Sequence, residues 1–335
     1  MNLTHFVGID VGKEKFTFCV LELNTKIVEA ELSNNDSGVL KLIQFFRQEL
    51  EIDIAQVVFC MEHTGVYSLI LLHALHAAGA NVSVENATRI KLSLGLTRGK
   101  SDQLDARRIA EFASRFVDKL SFWKPRSKAI QQLQHLTALR DRLIKIRTQL
   151  QVPIDEAEGF LDEEDFELIA QPSLKILDTL STQIEQVEHK IDRIIASDAK
   201  LQRMVKQIDS IPGVGIVTAT ELIIRTNEFK DFQNAKKLAC HVGIAPFEHS
   251  SGTSIRGRTK VSHKAHKRLK TLLHLCSMAA IKSDNEFRRY YQLKISQGKN
   301  KMSIINVIRN KILHRAFAII LNDTIYHENY QYKFA

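Results

Sequence analysis

Four carboxylates occupy positions from which they could act together. Asp10 closes the apolar run Phe6-Val-Gly-Ile-Asp10, and Glu62 closes Val57-Val-Phe-Cys-Met-Glu62, so each stands at the end of a segment patterned as a buried strand. Asp102 and Asp105 are three residues apart on a helical segment and share one face of it. If the two strands are neighbours, their carboxylates converge at one sheet edge, and four anions that close repel one another unless divalent cations neutralise them. An all-oxygen donor set favours Mg2+, with Mn2+ as a substitute, and such ions polarise a phosphodiester and stabilise its entering and leaving oxygens. A single acid at a strand end is ordinarily a solvated terminus. The set of four points to metal-assisted chemistry.

The elements that must position these acids alternate along the first third of the chain. Strands are expected at 6–10, 15–23 and 26–32, a helix at 36–50, a strand at 57–62, a helix at 66–78, a strand at 82–86 and a helix at 101–116. Three strands in succession, followed by strands separated by helices, give the order of a ribonuclease H-like α/β domain, although other mixed sheets share it. Gly8-Ile-Asp-Val-Gly12 also fits the phosphate loop of the actin and sugar-kinase fold. That fold needs a duplicated second half, and the chain carries heptads there instead.

Beyond Trp123-Lys-Pro125 the pattern is long helix. Leu136, Leu139, Leu143, Ile146 and Leu150 form one heptad seam, and Leu177, Leu180, Ile184, Val187, Ile191 and Ile194 form another. Between them lie Pro153, Gly159, the acidic run Asp162-Glu-Glu-Asp165 and Pro172, where helix should bend or break. The acidic run fits a solvated turn better than a cation site. The paired seams imply an antiparallel helical arm or a dimerising coiled coil. Ser210-Ile-Pro-Gly-Val-Gly215 then precedes a helix, as in a helix-hairpin-helix turn whose N–H groups at Gly213 and Gly215 could meet a phosphate, or a plain helix-helix turn with no ligand. The expected division is 1–120, 121–205 and 206–325.

Charge is focused rather than spread. The 335 residues carry a net +9, yet the segment 250–315 holds sixteen Lys or Arg against Asp284 and Glu286, a net +14, which leaves −5 for the remainder. So strong a local excess implies a polyanion-binding surface. Five prolines and 14 glycines exclude a collagen-like or mucin-like chain. Cys19, Cys60, Cys240 and Cys276 lie far apart without metal-ligand spacing, so reduced thiols and a cytoplasmic address are expected. No apolar stretch is long enough for a membrane span, and no membrane partner is expected.

Five ordered motifs, Gly8-Ile-Asp-Val-Gly-Lys-Glu-Lys15, Glu62-His-Thr-Gly-Val-Tyr67, Arg98-Gly-Lys-Ser-Asp-Gln-Leu-Asp-Ala-Arg107, Ser210-Ile-Pro-Gly-Val-Gly215 and Gly243-Ile-Ala-Pro-Phe-Glu-His-Ser-Ser-Gly252, resemble those of DEDD-type transposases of the insertion-sequence 110 family. The resemblance spans nearly the whole chain. It implies an N-terminal RuvC-like (ribonuclease H-like) domain, a coiled-coil arm and a mostly helical C-terminal transposase domain. It also implies that Asp10, Glu62, Asp102 and Asp105 bind Mg2+, that Ser251 is the nucleophile, with Ser250 as rival, and that metal site and serine combine, often across protomers of a dimer or tetramer. Attack would leave a phosphoserine link to DNA, at element ends and target, guided by a structured bridge RNA. Arg256, Arg258, Lys260, Lys264, Lys267 and Arg268 would hold phosphates. Ala265 replaces an expected glycine and Lys270 a common arginine, which weakens the case for that turn and for a bidentate contact. His249, His263 and His266 are candidate general bases, or simply phosphate donors or surface residues. Two other readings stay open: a RuvC-like nuclease that uses water, and a non-catalytic coiled-coil scaffold. A tyrosine recombinase fits poorly, because Tyr67, Tyr290 and Tyr291 lack an ordered Arg/His constellation.

Overall fold

Apolar runs as short as 5–11 and 57–62 bury themselves most completely as adjacent strands, and they do so here. The computed structural model describes residues 3–22, 25–95, 99–251, 255–261 and 265–328, with backbone alone at 248–251 and 255–260. Two units result, residues 1–125 and 126–335.

The first unit runs β1 (His5–Val11), β2 (Lys15–Glu22), β3 (Thr25–Ser33), α1 (Asp36–Gln44), β4 (Val57–Glu62), α2 (Leu69–Ala77), β5 (Asn81–Glu85), α3 (Ala87–Ser93) and α4 (Asp102–Arg115). Its sheet has the order β3-β2-β1-β4-β5, with β1, β4 and β5 parallel and β2 antiparallel to both neighbours. This is the RuvC-like, ribonuclease H-like arrangement. In β1 every residue is buried except Asp10, and in β4 every residue except Glu62. Such strands have no polar face to spend on solvent, so a carboxylate on them stands out. β3 is the exposed edge and alternates apolar with charged residues.

Close fit sets α4 against this sheet. A Cβ at Gly8 would lie 2.0 Å from the Ala106 carbonyl oxygen and 2.2 Å from the Ala110 nitrogen. Glycine on the strand and alanines on the helix therefore bring the two backbones into contact, which carries the first turn of α4 toward the Asp10 end of β1. The helix expected over 36–50 changes pitch, with a wide turn at Phe45–Glu49. That turn lets successive residues Phe45 and Phe46 both reach the core, their rings 5.6 Å apart and Phe46 5.3 Å from Phe59. Helix α3, which the pattern does not foretell, starts where the Asn86 side chain accepts from the Thr88 N–H at 2.8 Å.

The second unit comprises α5 (Lys128–Ala157), α6 (Glu163–Ser197), α7 (Ala199–Asp209), α8 (Ile216–Thr226), α9 (Ala235–Val242), the hairpin β6 (Pro246–Ser251) and β7 (Ile255–Val261), α10 (Lys267–Ala280), α11 (Glu286–Ser296) and α12 (Lys301–Leu321). The two heptad seams close on each other within the chain. Near the base Ile130 and Leu133 share a core with Val187, Ile191 and Ile195, and near the tip Leu150 and Ile154 meet Phe166, Ala170 and Leu177. Arg140 Nε donates to Glu188 across the pair at 2.6 Å. Only 158–162 interrupts the helices, while Pro153 and Pro172 lie inside α5 and α6. Each proline removes one helical hydrogen bond, and the seam contacts on either side outweigh that loss. The acidic run starts α6, with Asp162 accepting from the Asp165 N–H at 2.9 Å and three acids in the first turn, where the helix dipole favours them. The cores of α5 and α6 are continuous with those of α7 to α12.

Candidate active site

Asp10 and Glu62 are next-door residues of adjacent strands, because the β1–β4 register ends with Ile9 opposite Met61. Asp102 and Asp105 occupy the first turn of α4, started by Ser101, whose hydroxyl accepts from the Leu104 N–H at 3.2 Å. Partial burial raises the Asp10 pKa above its ordinary value, and the charges of Asp102 and Asp105 raise it further against Lys100 and the Val11 N–H. Burial, then Asp10 and Asp105, raise Glu62 in the same way. The fold thus brings the four acids into one electrostatic group. Arg108 Nη1 donates to Asp105 at 3.0 Å and to the Gly99 carbonyl at 3.1 Å, which ties the helix start to the preceding loop.

Carboxylates whose charges act on Asp10 and Glu62 in this way, with no Cys or His among them, suit a hard divalent ion by donor chemistry. Among the described residues, no three His, Cys, Asp or Glu side chains are gathered as a finished cage. The donors fit in kind and in neighbourhood, and stand apart from one another.

Asn34 joins the site without any catalytic signature in the sequence. Its side-chain nitrogen donates to the Gly12 carbonyl at 2.8 Å and the Tyr67 carbonyl at 2.9 Å, bridging the segments that follow Asp10 and Glu62. The turn-rich run Ser33-Asn-Asn-Asp-Ser37 was the available signal.

The serine candidates end a two-stranded hairpin, Ser250 paired with Arg256 and Ser251 with Ile255. Arg256, Arg258 and Lys260 take alternate positions on β7. Lys264, His263 and Gly252 lie outside the described residues, and of the side chains at 248–251 and 255–260 only the chain positions are described. Lys267 opens α10 and is exposed. Arg268 is already engaged, its Nε donating to Glu221 at 2.9 Å and its Nη1 paired with Asp141. Burial pushes that Glu221 carboxyl up to about 7 against the pull of Arg225.

Gly213 has φ +79°, and a Cβ there would meet the Ala280 nitrogen and the Cys276 carbonyl oxygen at 2.5 Å, so this glycine serves helix packing. Gly215 starts α8 in open space and its N–H is directed at the Cys276 thiol. His266 caps α10, Nδ1 accepting from the Leu269 N–H at 3.2 Å. Burial, with Arg225 and His241, lowers its pKa to about 4, so the ring is neutral and its Nδ1 is occupied.

Two family profiles match this chain. One, described as Transposase and of the DEDD IS110 type, matches residues 7–157; the other, Transposase IS116/IS110/IS902 family, matches residues 205–292. The chain belongs to the IS110 transposase family. Among its relatives is the "Pilin gene-inverting protein" of Moraxella bovis, 26% identical over 323 residues, covering 94% of this chain and 95% of that protein. The "Transposase for insertion sequence element IS1111A" of Coxiella burnetii is 30% identical over 198 residues, covering 52% and 53%. Of solved structures, T. thermophilus RuvC in complex with Holliday junction substrate aligns at 12% identity over 36% of this chain and 99% of that one, with a TM-score of 0.29. As an IS110-family member the chain is a transposase, an enzyme of the recombinase class. Among the described residues no helix is long and apolar enough to cross a membrane.

Proposed function

We propose that this transposase cleaves and rejoins DNA strands to move an insertion sequence, with Asp10, Glu62, Asp102 and Asp105 holding Mg2+ (or Mn2+) and Ser251 as nucleophile. The electrostatic influence that links four acids, two at neighbouring strand ends and two on the first turn of α4, carries the reading, since like charges that act on one another lower stability unless something neutralises them. A bound dication would offset that repulsion and supply charge stabilisation to a phosphodiester. Asp10 and Glu62 hold their carboxylates at fixed strand ends, and Ser101 and Arg108 orient the start of α4 that presents Asp102 and Asp105.

In the covalent step the Ser251 oxygen forms a bond to phosphorus, one bridging P–O bond of the strand breaks, the serine proton is given up and the departing DNA oxygen takes one. The serine ester keeps the energy of the broken phosphodiester, so the reverse exchange joins a new strand without external energy. His266 is a poor candidate for the base, given its capped Nδ1 and low proton affinity. Arg256, Arg258, Lys260, Lys264 and Lys267 would hold DNA or a structured guide RNA; Arg268 would have to leave its carboxylates first. Working segments 1–120, 121–205 and 206–325 would act as metal domain, arm and serine domain of a homo-oligomer. Inversion of a DNA segment, suggested by the name of the Moraxella relative, would use the same cleavage and joining.

Purified protein incubated with element-end DNA, element RNA and Mg2+ should give a denaturation-resistant protein–DNA adduct. Ser251→Ala should eliminate adduct and strand exchange while nucleic acid still binds, and Ser250→Ala should be milder. Peptide mapping that places phosphate on Ser250, or undiminished exchange by Ser251→Ala, would overturn the assignment; cleavage without adduct would make the protein a water-using nuclease. Mass photometry should show an oligomer on nucleic acid, and a monomer throughout would rule out an active site shared between protomers.

A further inference from the structure

Arg309 is a buried cation of the helical unit with no acid paired to it among the described residues. It lies midway along α12 with 8% of its surface exposed, among buried Ile305, Ile308, Ile312 and Leu313. Its Nη2 is 2.5 Å from Nδ1 of His274 on α10, and its Nε is buried with no hydrogen-bond partner among the described residues. Only burial acts on its pKa, lowering it, and no carboxylate among the described residues pulls the other way. The contrast with Arg315, six residues on, is direct: there Nε and Nη2 donate to Glu286 at 3.0 and 2.9 Å.

A guanidinium stays protonated at any ordinary pH, and burying one without an anion is unfavourable. A methionine would fill similar space without that penalty. His274 accepts from Arg309 through Nδ1, which leaves its Nε2 to carry a hydrogen. Its ring is only half-buried, so it connects Arg309 to the surface of the unit. Lys270, one turn earlier on the same face of α10, adds an ammonium that has no ion-pair partner among the described residues. All three groups can donate, and among the described residues none of them is paired with an acid. Their common complement is an oxyanion, and the planar guanidinium fork suits phosphate oxygens. Arg309 also lies beyond residues 205–292, where the second family profile ends.

We propose that Arg309, with His274 and Lys270, seats a phosphate oxyanion, and that its source is a phosphodiester of a bound nucleic-acid strand. This rests on the reading of the chain as acting on DNA, and adds a contact beyond those assigned to Arg256, Arg258, Lys260, Lys264, Lys267 and Arg268, within the same basic segment.

The test compares wild type, Arg309→Met and Arg309→Lys for binding to a fluorescent DNA duplex across a salt series, for thermal midpoint, and for the effect of inorganic phosphate on that midpoint. Arg309→Met should weaken duplex binding about ten-fold, the loss of one charge-assisted contact, and reduce the salt slope by about one. Its midpoint should hold or rise, because an unmatched buried charge has gone. Arg309→Lys, which keeps charge without the fork, should fall between, and it decides the matter if the methionine variant does not fold. Unchanged affinity and slope in both variants, or a lowered midpoint with unchanged binding, would overturn the proposal. If inorganic phosphate raises the midpoint of wild type but not of Arg309→Met, while duplex binding is equal, the seat stands and its source is free phosphate. Should wild type bind no nucleic acid, the functional reading fails, and phosphate alone then decides the seat: no rise in midpoint ends it.

Discussion

The acid cluster of the sheet unit and the arginine–carboxylate pairs of the helical unit handle charge in opposite ways. Around the ends of β1 and β4, Asp10, Glu62, Asp102 and Asp105 act on one another electrostatically, and the cations that act on them among the described residues, Lys15, Lys100 and Arg108, do not match them in number. In the helical unit, carboxylates meet guanidinium groups one to one or better: Glu286 with Arg315, Glu188 with Arg140, Glu221 and Asp141 with Arg268. Paired charges of the second kind maintain a fold. A repelling cluster of the first kind lowers stability, and a bound cation would offset that cost. The difference teaches where to look for chemistry in this chain, and it can be broken by mutation.

The largest effect is expected at Asp10. Asp10→Asn removes one charge from the cluster, so strand cleavage should fall by at least ~10³-fold while the thermal midpoint stays level or rises. A gel assay with Mg2+ and a melting curve on the same sample check both halves. Cleavage at the wild-type rate would end the metal reading, and a large drop in midpoint would make Asp10 a structural residue like those of the helical unit.

Glu286→Gln is the converse experiment and the next in size. Glu286 accepts from Arg315 twice and from the Tyr326 hydroxyl at 2.8 Å; burial works to raise its pKa, but these partners prevail and hold it below the ordinary value. Removing the charge takes from the partly buried Arg315 the carboxylate that accepts two of its hydrogen bonds, which should cost about 2 kcal/mol in urea unfolding. Cleavage should be unaffected once the protein is folded. A loss below about 0.5 kcal/mol would show that the pairing contributes little and would erase the contrast.

How much of this was legible beforehand follows the same division. The sheet could be anticipated because apolar runs ending in carboxylates have few ways to fold, and the order of strands and helices then fixes which strands are neighbours. The heptad seams announced α5 and α6, though not that Pro153 and Pro172 would remain inside them, since seam contacts outweigh a local helix preference. The place of Gly8 against Ala106 and Ala110 was not legible, because helix-to-strand contact leaves no periodic mark on sequence. Nor was the capture of Arg268 by Glu221 and Asp141, which lie 47 and 127 positions away in the chain and meet only through tertiary packing. A basic segment indicates a charge excess, and only the structure separates engaged arginines from available ones.

The smallest expected effect concerns pH, and its sign follows from the acid cluster. Asp10 and Glu62 have folded-state pKa values above the ordinary 3.8 and 4.5, so between those values and the raised ones the folded protein holds more protons than the unfolded chain. Stability contributed by this site must therefore fall as pH rises through that window, and the repulsion is fully present above it. Glu228 and Glu286 act in the opposite sense, with lowered values that lend stability above the ordinary range and lose it on acidification. Because the two trends overlap, the useful quantity is the midpoint of Asp10→Asn minus that of wild type, measured in chelator from acid to neutral pH. That difference should grow with pH, by about 2 °C in all, and then level off. Adding Mg2+ at neutral pH should raise wild type and leave the variant nearly unmoved, which closes the gap. A difference that shrinks as pH rises would mean that Asp10 is held by favourable partners after all, and the acid edge would join the paired charges of the helical unit.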